Sequence, residues 1–276
     1  MTGELFVVAT PIGNLGDISL RALEVLSSVD AILAEDTRHS RRLLDHHGIT
    51  TPLWSLHEHN EKAKTASLID DLSSGKKLAL ISDAGTPLIS DPGFCLVREA
   101  RDAGIAVMPL PGPCAFVAAL SVAGLASDAF SFFGFLPPKQ QARINALKRL
   151  ADRTETLIFY EAPHRVLATL ADMQTVFGDD RLAVMARELS KSYETVKKAS
   201  LLDLVTWVES DPNQQKGEIV LLIEGKRQQT DADFSQALSL YDKLKADLPM
   251  KRAVKLASEV TGVSKNQLYQ MVISAK

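Results

Sequence analysis

Five short segments of this 276-residue chain combine glycine, proline and polar side chains directly after apolar runs of the kind that form buried strands. These segments are residues 10–17, 35–38, 82–92, 111–115 and 161–165. Ligands of open α/β sheets bind beyond the carboxyl ends of the strands, so loops in this position can share one ligand. Any one of the five is adequately explained as an ordinary turn, but five together favour a common ligand-binding crevice.

The motifs that are absent narrow the choice of ligand. The sequence has no G-x-x-x-x-G-K-[ST] segment, no G-x-G-x-x-G after the first apolar run and no G-x-S-x-G nucleophile motif. His57 and His59 lie near Glu58 and Glu61, but on a polar stretch that we interpret as solvated surface rather than a metal site. The residues therefore predict a metal-free α/β enzyme with a nucleotide-like ligand.

The elements that must position these loops alternate between strand and helix. Strands are predicted at 5–9, 31–34, 78–81 and 105–108 in the first half, and at 130–135, 156–160, 182–186 and 218–223 in the second. Helical patterns fall between them, and Asp91 followed by Pro92 indicates an N-cap and a first turn. This alternation is typical of an α/β fold, with a mostly parallel sheet in the first half.

Composition places the chain among soluble globular proteins, since 46% of its residues are hydrophobic and 24% are charged. The net charge of −3 argues against a general nucleic-acid binder without excluding a local basic face. Cys95 and Cys114 lack a CxxC partner, which predicts reduced thiols and a cytoplasmic protein. No basic stretch precedes the first apolar run and prolines interrupt the apolar region 105–126, so neither a secretory signal nor a membrane span is expected.

The last part of the chain has a different pattern. Residues 226–231 are polar and linker-like, and residues 233–276 show helical periodicity without a convincing strand. From residue 248 to residue 276 there are five Lys or Arg and one Glu, a local charge of +4. Two helices separated by residues 261–264 resemble a helix-turn-helix in which Ser264 caps the second helix. Two interpretations stay open: a helical cap or dimer element, or an RNA contact made by Lys251 and Arg252.

Together the loops resemble the successive motifs of one known family. The motifs are TPIGNLGD at 10–17, EDTR at 35–38, SDAGTPLISDPG at 82–93, PGP at 111–113 and YEAPHR at 160–165. They are similar to those of the ribosomal small-subunit methyltransferase I family, the (cytidine-2′-O)-methyltransferases, over nearly the whole chain. The first loop departs from the glycine-rich form of the tetrapyrrole-modifying relatives, which argues against a tetrapyrrole substrate.

The resemblance implies a fold, an activity and partners. The fold would be two α/β domains of the tetrapyrrole-methylase (class III methyltransferase) type with a cofactor cleft between them, plus a small C-terminal helical extension. The corresponding domains are residues 1–112, 113–228 and 229–276. The activity would be S-adenosylmethionine-dependent 2′-O-methylation of a cytidine in the decoding region of 16S ribosomal RNA. The small ribosomal subunit and a second copy of the chain, as a homodimer, are the implied partners.

The resemblance also implies site residues. The cofactor pocket would be lined by Pro11, Asp83, Gly85, Leu88, Ile89, Ser90, Pro113, Ala115, Phe116, Tyr160, Arg187 and Leu189. No metal is required, because the sulfonium leaves as a neutral thioether. Glu35 and Asp36 are expected to handle the substrate hydroxyl, with Arg38 and Arg165 on phosphate or as electrostatic partners. The competing interpretation is that Asp36 only caps the next helix and that Arg38 pairs with it.

Two rival functions belong to other classes. One is an enzyme of the same fold that methylates a tetrapyrrole or another small metabolite, and the altered first loop and the basic tail argue against it. The other is a non-catalytic nucleic-acid-binding protein that uses the tail. The five strand-end loops argue against this second rival, since a binding module needs no such crevice.

Overall fold

The computed structural model describes residues 2–227 and 231–274. Residues 228–230 of the predicted linker, and Lys276 of the basic tail, lie outside the described residues. The chain forms two compact units, residues 1–225 and residues 226–276. The predicted boundary after residue 112 falls between the last strand of the first sheet and the helix that follows, and it stays a prediction.

The first sheet contains only parallel strand pairs, as the sequence predicts. Its strands are β1 (Glu4–Val8), β2 (Ala31–Ala34), β3 (Leu53–Ser55), β4 (Lys77–Ile81) and β5 (Ala106–Leu110), in the order β3-β2-β4-β1-β5. The connecting helices are α1 (Leu20–Ser28), α2 (Thr37–His46), α3 (Glu61–Ser73) and α4 (Phe94–Asp102). β2 is buried along its whole length because helices cover both faces of the sheet. Pro109 is tolerated in β5 because β5 is an edge strand.

The second sheet is mixed. Its strands are β6 (Phe130–Phe135), β7 (Thr156–Glu161), β8 (Leu182–Arg187), β9 (Thr195–Ser200) and β10 (Ile219–Ile223), in the order β6-β7-β10-β8-β9. β6 and β7 are parallel, and the other neighbours are antiparallel. The helices of this half are α5 (Ala115–Ala123), α6 (Gln140–Lys148), α7 (Val166–Phe177) and α8 (Leu201–Ser210). Leu157 and Phe159 face the core that contains α6–α8, whereas Ile158 and Tyr160 face α5 on the opposite side of the sheet.

Two sequence predictions about helix α4 and its neighbours are wrong. Asp91 does not cap α4, because the helix begins at Phe94 after Gly93, whose φ of 124° is accessible to glycine. Glu61 takes over part of the capping: its Oε1 accepts a hydrogen bond from the Leu96 backbone N–H at 3.1 Å. Glu61 is therefore buried rather than part of a solvated cluster with His57 and His59.

The second unit is a small helical domain. It consists of α9 (Asp231–Leu244), α10 (Met250–Thr261) and α11 (Lys265–Ser274), packed around a core that includes Ala253 and Leu268. Gly262 ends α10 with a φ of 72°, and Ser264 Oγ accepts from the Gln267 N–H at 3.4 Å, which confirms the predicted helix-turn-helix and its cap. No helix in the described parts of the chain is both long and apolar enough to cross a membrane.

Candidate active site

A cavity of about 420 Å³ lies between the two sheets of the first unit. Four of the five predicted loops contribute to its wall, since it is lined by Ile12, Asp83–Thr86, Ile89–Asp91, Cys114, Ala115, Phe135, Tyr160–Pro163, Ala186, Leu189 and Gly217–Val220. The fifth loop lies beside it, because the Asp36 backbone N–H donates to Asp83 Oδ1 at 3.1 Å. The predicted crevice is thus confirmed as a space enclosed by strand-end loops.

Hydrogen bonds from backbone N–H groups and threonine hydroxyls join three of these loops into one wall. Thr10 and Gly85 exchange two backbone hydrogen bonds of 2.8 and 3.0 Å, and Thr10 Oγ1 donates to the Ser82 carbonyl at 3.1 Å. Thr86 Oγ1 donates to the Pro113 carbonyl at 3.0 Å. Because φ of Gly85 is 85°, a residue with a Cβ would strain this junction. The wall is therefore held in shape before any ligand arrives.

Two loops of the site store backbone strain. Among the described residues, the non-glycine residues with positive φ are Leu88, Ser90, Glu188 and Ser190, and all four lie in the loops after β4 and β8. Such conformations cost about 1–3 kcal/mol each and persist where surrounding contacts impose them. Here Ser190 Oγ donates to Asp17 Oδ2 in the first loop. Glu188 accepts hydrogen bonds from the Glu218 N–H and from Lys191 Nζ, both at 2.9 Å.

The carboxylates near the cavity perturb one another. The pKa of Asp91 is raised to about 6: burial is the largest cause, the charges of Glu35 and Asp83 add to it, and a hydrogen bond from Ser82 partly opposes it. Burial, followed by the charge of Asp83, likewise raises the pKa of Glu35. A cation in the cavity would relieve this repulsion. Asp91 is one of the cavity residues that the sequence interpretation missed. It stands in the same SDAGTPLISDPG motif as Asp83, but the following Pro92 made it resemble a helix cap.

The structure brings most of the predicted cofactor residues to the cavity. Those that line it are Asp83, Gly85, Ile89, Ser90, Ala115, Tyr160 and Leu189. Those that do not line it are Pro11, Leu88, Pro113, Phe116 and Arg187. The guanidinium of Arg187 is buried and donates to Gln214, Thr195 and the Tyr193 carbonyl at 3.1–3.2 Å. Their roles toward a cofactor stay predictions.

The predicted catalytic residues have unequal surroundings. Asp36 caps α2 and accepts from the Arg38 N–H at 2.8 Å, and the two side chains form an exposed ion pair of 3.4 Å, so both contacts of the competing interpretation are present. Glu35 follows β2 directly and makes no such cap. Arg165 donates to the buried Glu161 at 2.5 and 2.8 Å, while Glu161 also accepts from Thr169 at 2.6 Å. Glu161 thus holds Arg165 at the edge of the cavity.

Comparison with known proteins decides the family. A sequence profile described as Tetrapyrrole (Corrin/Porphyrin) Methylases matches residues 4–205, and one described as RsmI C-terminal HTH domain matches residues 231–276. The ribosomal RNA small subunit methyltransferase I of Pseudomonas aeruginosa is 56% identical to this chain, over 98% of this chain's length and 97% of the length of that protein. The protein of the same name from Escherichia coli O157:H7 is 52% identical over 98% and 95%. This chain belongs to the ribosomal RNA small subunit methyltransferase I family.

Solved structures agree with the fold of this methyltransferase family. The chain is similar to uroporphyrin-III-C-methyltransferase from Thermus thermophilus, at 20% identity and a TM-score of 0.55 over 80% of this chain and 94% of that one. It is also similar to diphthine synthase, at 17% identity and a TM-score of 0.64 over 82% and 92%. These similarities concern the fold alone, and they confirm the predicted class of the two α/β domains, while α9–α11 form the predicted helical extension.

Replacing Asp91 with asparagine should change how stability depends on pH. An Asp whose pKa is raised from 3.8 to about 6 holds a proton in the folded chain that the unfolded chain has lost. The folded state therefore loses stability as the pH rises from about 4 to about 6, and the loss persists at higher pH. Because Asn cannot ionise, the melting temperature of Asp91→Asn should exceed that of the wild type by more at about pH 7.5 than at about pH 4. A difference that stays constant across a pH series of melting curves would contradict the burial of this carboxylate.

Proposed function

We propose that this chain transfers the methyl group of S-adenosylmethionine to the ribose 2′-oxygen of a cytidine in 16S ribosomal RNA of the small subunit. The observation that carries the proposal is the 56% identity, over almost the full length of both chains, to an enzyme named for methylation of the small-subunit RNA. Within the proposal the protein is cytoplasmic, acts as a homodimer and needs no metal.

The cavity has the chemistry that the proposed methyl donor requires. Its floor is formed by the apolar side chains of Ala186, Ile219 and Val220, which are at most 4% exposed. Asp83 and Asp91 stand at its wall. Carboxylates suit the positive sulfonium and ammonium groups of the donor. Helix α5 begins beside them at Ala115 without a side-chain cap, so its free N–H groups suit a carboxylate. When bound, S-adenosylmethionine supplies an electrophilic methyl group whose leaving group is a neutral thioether.

The chain's own residues then position the nucleophile and take up its proton. Holding a hydroxyl oxygen in line with the methyl group can contribute about 7–11 kcal/mol in favourable cases. A ribose hydroxyl is a weak nucleophile, so a nearby base assists its attack. Glu35 and Asp91 have raised pKa values and hence a greater proton affinity than ordinary carboxylates. In this mechanism one of these two carboxylates accepts the proton of the hydroxyl, and the exposed Arg38 and the partly exposed Arg165 contact RNA phosphates.

A labelled-methyl assay tests this function against its main rival. The protein is incubated with S-adenosylmethionine carrying a tritiated methyl group and with small ribosomal subunits that lack the modification. A parallel reaction contains a tetrapyrrole in place of the subunits. We expect RNA to be labelled and the tetrapyrrole to stay unlabelled. Label in the tetrapyrrole alone would establish the rival, and label in neither would overturn the catalytic proposal.

Removing the helical tail should weaken RNA binding and spare the cofactor. The second unit has its own core, and Lys251 and Arg252 are exposed on α10. The cavity residues all precede residue 221, so deletion of 226–276 should leave S-adenosylmethionine affinity largely unchanged. The tail would act through contacts with phosphates. Lys251→Gln or Arg252→Gln should therefore each reduce the slope of log affinity for RNA against log salt concentration by about one.

The alternative makes the tail a packing or dimer element. It predicts that the truncated protein aggregates, melts at a lower temperature or changes its oligomeric state. Light scattering and melting curves, run beside RNA binding at several salt concentrations, distinguish the two. A truncated protein that is folded, keeps the oligomeric state of the full chain and binds RNA with unchanged affinity would contradict both interpretations of this segment.

A further inference from the structure

Strand β6 contains an extra residue that changes which face its last side chain occupies. Phe132 pairs with Ile158 and Phe135 pairs with Tyr160, so three steps along β6 match two steps along β7. Gly134 sits in this bulge with a φ of 63°. Side chains alternate between the faces of a strand, and one extra residue therefore moves every later side chain to the other face.

The bulge brings Phe135 to the face that borders the cavity. Phe133 stacks on Phe159 in the core on the opposite face, with ring centroids 5.4 Å apart. Without the bulge Phe135 would follow it there. Instead its ring lies 5.8 Å from that of Tyr160, nearly edge to face, and it lines the cavity. The missing side chain of Gly134 also matters, because a Cβ there would lie 3.1 Å from Ser90 Oγ in the strained loop.

Phe135 is exposed in spite of this position. It is 56% exposed, whereas Ala186, Ile219 and Val220 at the floor of the cavity are almost completely buried. The ring thus forms part of the rim, with one side held by Tyr160 and a large part facing solvent. An aromatic ring at a rim offers a flat apolar surface on which another flat ring can stack.

We propose that Phe135 stacks against the base of the nucleotide whose ribose is methylated. The inference rests on the proposed function and adds a substrate-binding residue to it. The base is attached to the ribose carbon next to the one that bears the 2′-oxygen. When that oxygen enters the cavity, the base must lie at the rim, where Phe135 stands. Single-stranded RNA is recognised by stacking unpaired bases on aromatic side chains in this way.

A substitution series with a matched control tests the proposal. Phe135→Leu keeps an apolar side chain but removes the ring, and Phe135→Trp keeps a ring. Phe130→Leu removes another exposed ring from the same strand. Phe130 is 44% exposed and does not line the cavity. Methyl transfer to unmodified small subunits gives KM and kcat for each variant, and calorimetry gives the affinity for S-adenosylmethionine.

We expect Phe135→Leu to raise the KM for small subunits by about five- to a hundredfold, as loss of one stacked base would. Its kcat and its affinity for S-adenosylmethionine should change little, Phe135→Trp should stay near the wild type, and so should Phe130→Leu. As a direct probe, a short single-stranded RNA containing cytidine should quench the fluorescence of the indole introduced by Phe135→Trp.

The possible failures are distinguishable. If the wild type labels no RNA, the proposed function fails, and the stacking proposal that rests on it fails with it. If the wild type is active but Phe135→Leu behaves like Phe130→Leu, the stacking proposal is overturned. It is also overturned if Phe135→Leu weakens S-adenosylmethionine binding as much as RNA binding, because the ring then belongs to the cofactor site. A change in oligomeric state without a change in KM would assign the ring to a subunit contact and would overturn the proposal equally.

Discussion

Replacing Asp172 with alanine should lower the free energy of unfolding by about 3–5 kcal/mol. Asp172 on α7 accepts from Arg143 Nε at 2.7 Å and from Gln140 Nε2 at 3.0 Å, and the side chains of the ion pair are only 5% and 4% exposed. Alanine at this position would leave the guanidinium of Arg143 buried without its counter-charge. The remaining contact, from Arg143 Nη1 to the Pro138 carbonyl at 3.2 Å, cannot neutralise it.

Urea denaturation of three variants measures this effect. Glu99→Ala is the matched control, because Glu99 forms an ion pair of 3.7 Å with Arg98 in which both side chains are about half exposed. That loss should cost no more than about 1 kcal/mol. The double variant Arg143→Met/Asp172→Leu should recover much of the loss, since it removes both charges. A cost for Asp172→Ala as small as that of the control would contradict the account of a buried pair.

Replacing Asp83 with alanine should weaken the binding of S-adenosylmethionine by about ten- to a hundredfold, the equivalent of about 1.5–3 kcal/mol for a charge-assisted hydrogen bond. Asp83 lines the cavity just after β4. Together with Glu35 and Asp91 it forms a group of three carboxylates that favours a cation there. Its Oδ1 also accepts the Asp36 N–H at 3.1 Å, so the alanine variant loses a structural contact as well.

Asp83→Asn separates the two roles of this side chain. The amide keeps an oxygen that can accept the Asp36 N–H but carries no charge. We expect it to melt close to the wild-type temperature and to bind S-adenosylmethionine nearly as weakly as Asp83→Ala. If Asp83→Ala melts far below the wild type and yet binds the cofactor normally in calorimetry, Asp83 is a structural residue.

The fold could be predicted wherever strands are buried on both faces. The run at 31–34 lies fully buried in β2, and its uninterrupted apolar composition identifies it as a buried strand. β3 and β9 were not predicted, although the edge strands β5 and β6 were: β3 has only three residues, and β9 is mostly polar and includes the adjacent Lys197 and Lys198. An edge strand has only one neighbour in the sheet, so a short or polar sequence such as that of β3 or β9 is tolerated there and carries a weaker pattern.

The site could be predicted at the level of loops and less well at the level of side chains. The motif 82–93 identified Asp83 and Ser90, but whether Asp91 caps a helix or borders a cavity depends on where α4 begins. Phe135 escaped prediction for a similar reason. Its face depends on the register between β6 and β7, although Gly134 within a predicted strand is itself a signal for a bulge.

The most direct test of the account is the chemical identity of the product. Small subunits methylated by this protein are digested to nucleosides, and the labelled nucleoside is identified by mass spectrometry after chromatography. We expect a single labelled product, cytidine methylated on its ribose 2′-oxygen, and the amount formed should fall for Asp83→Ala at limiting S-adenosylmethionine. A label on a base, on another nucleoside or on no RNA at all would contradict it.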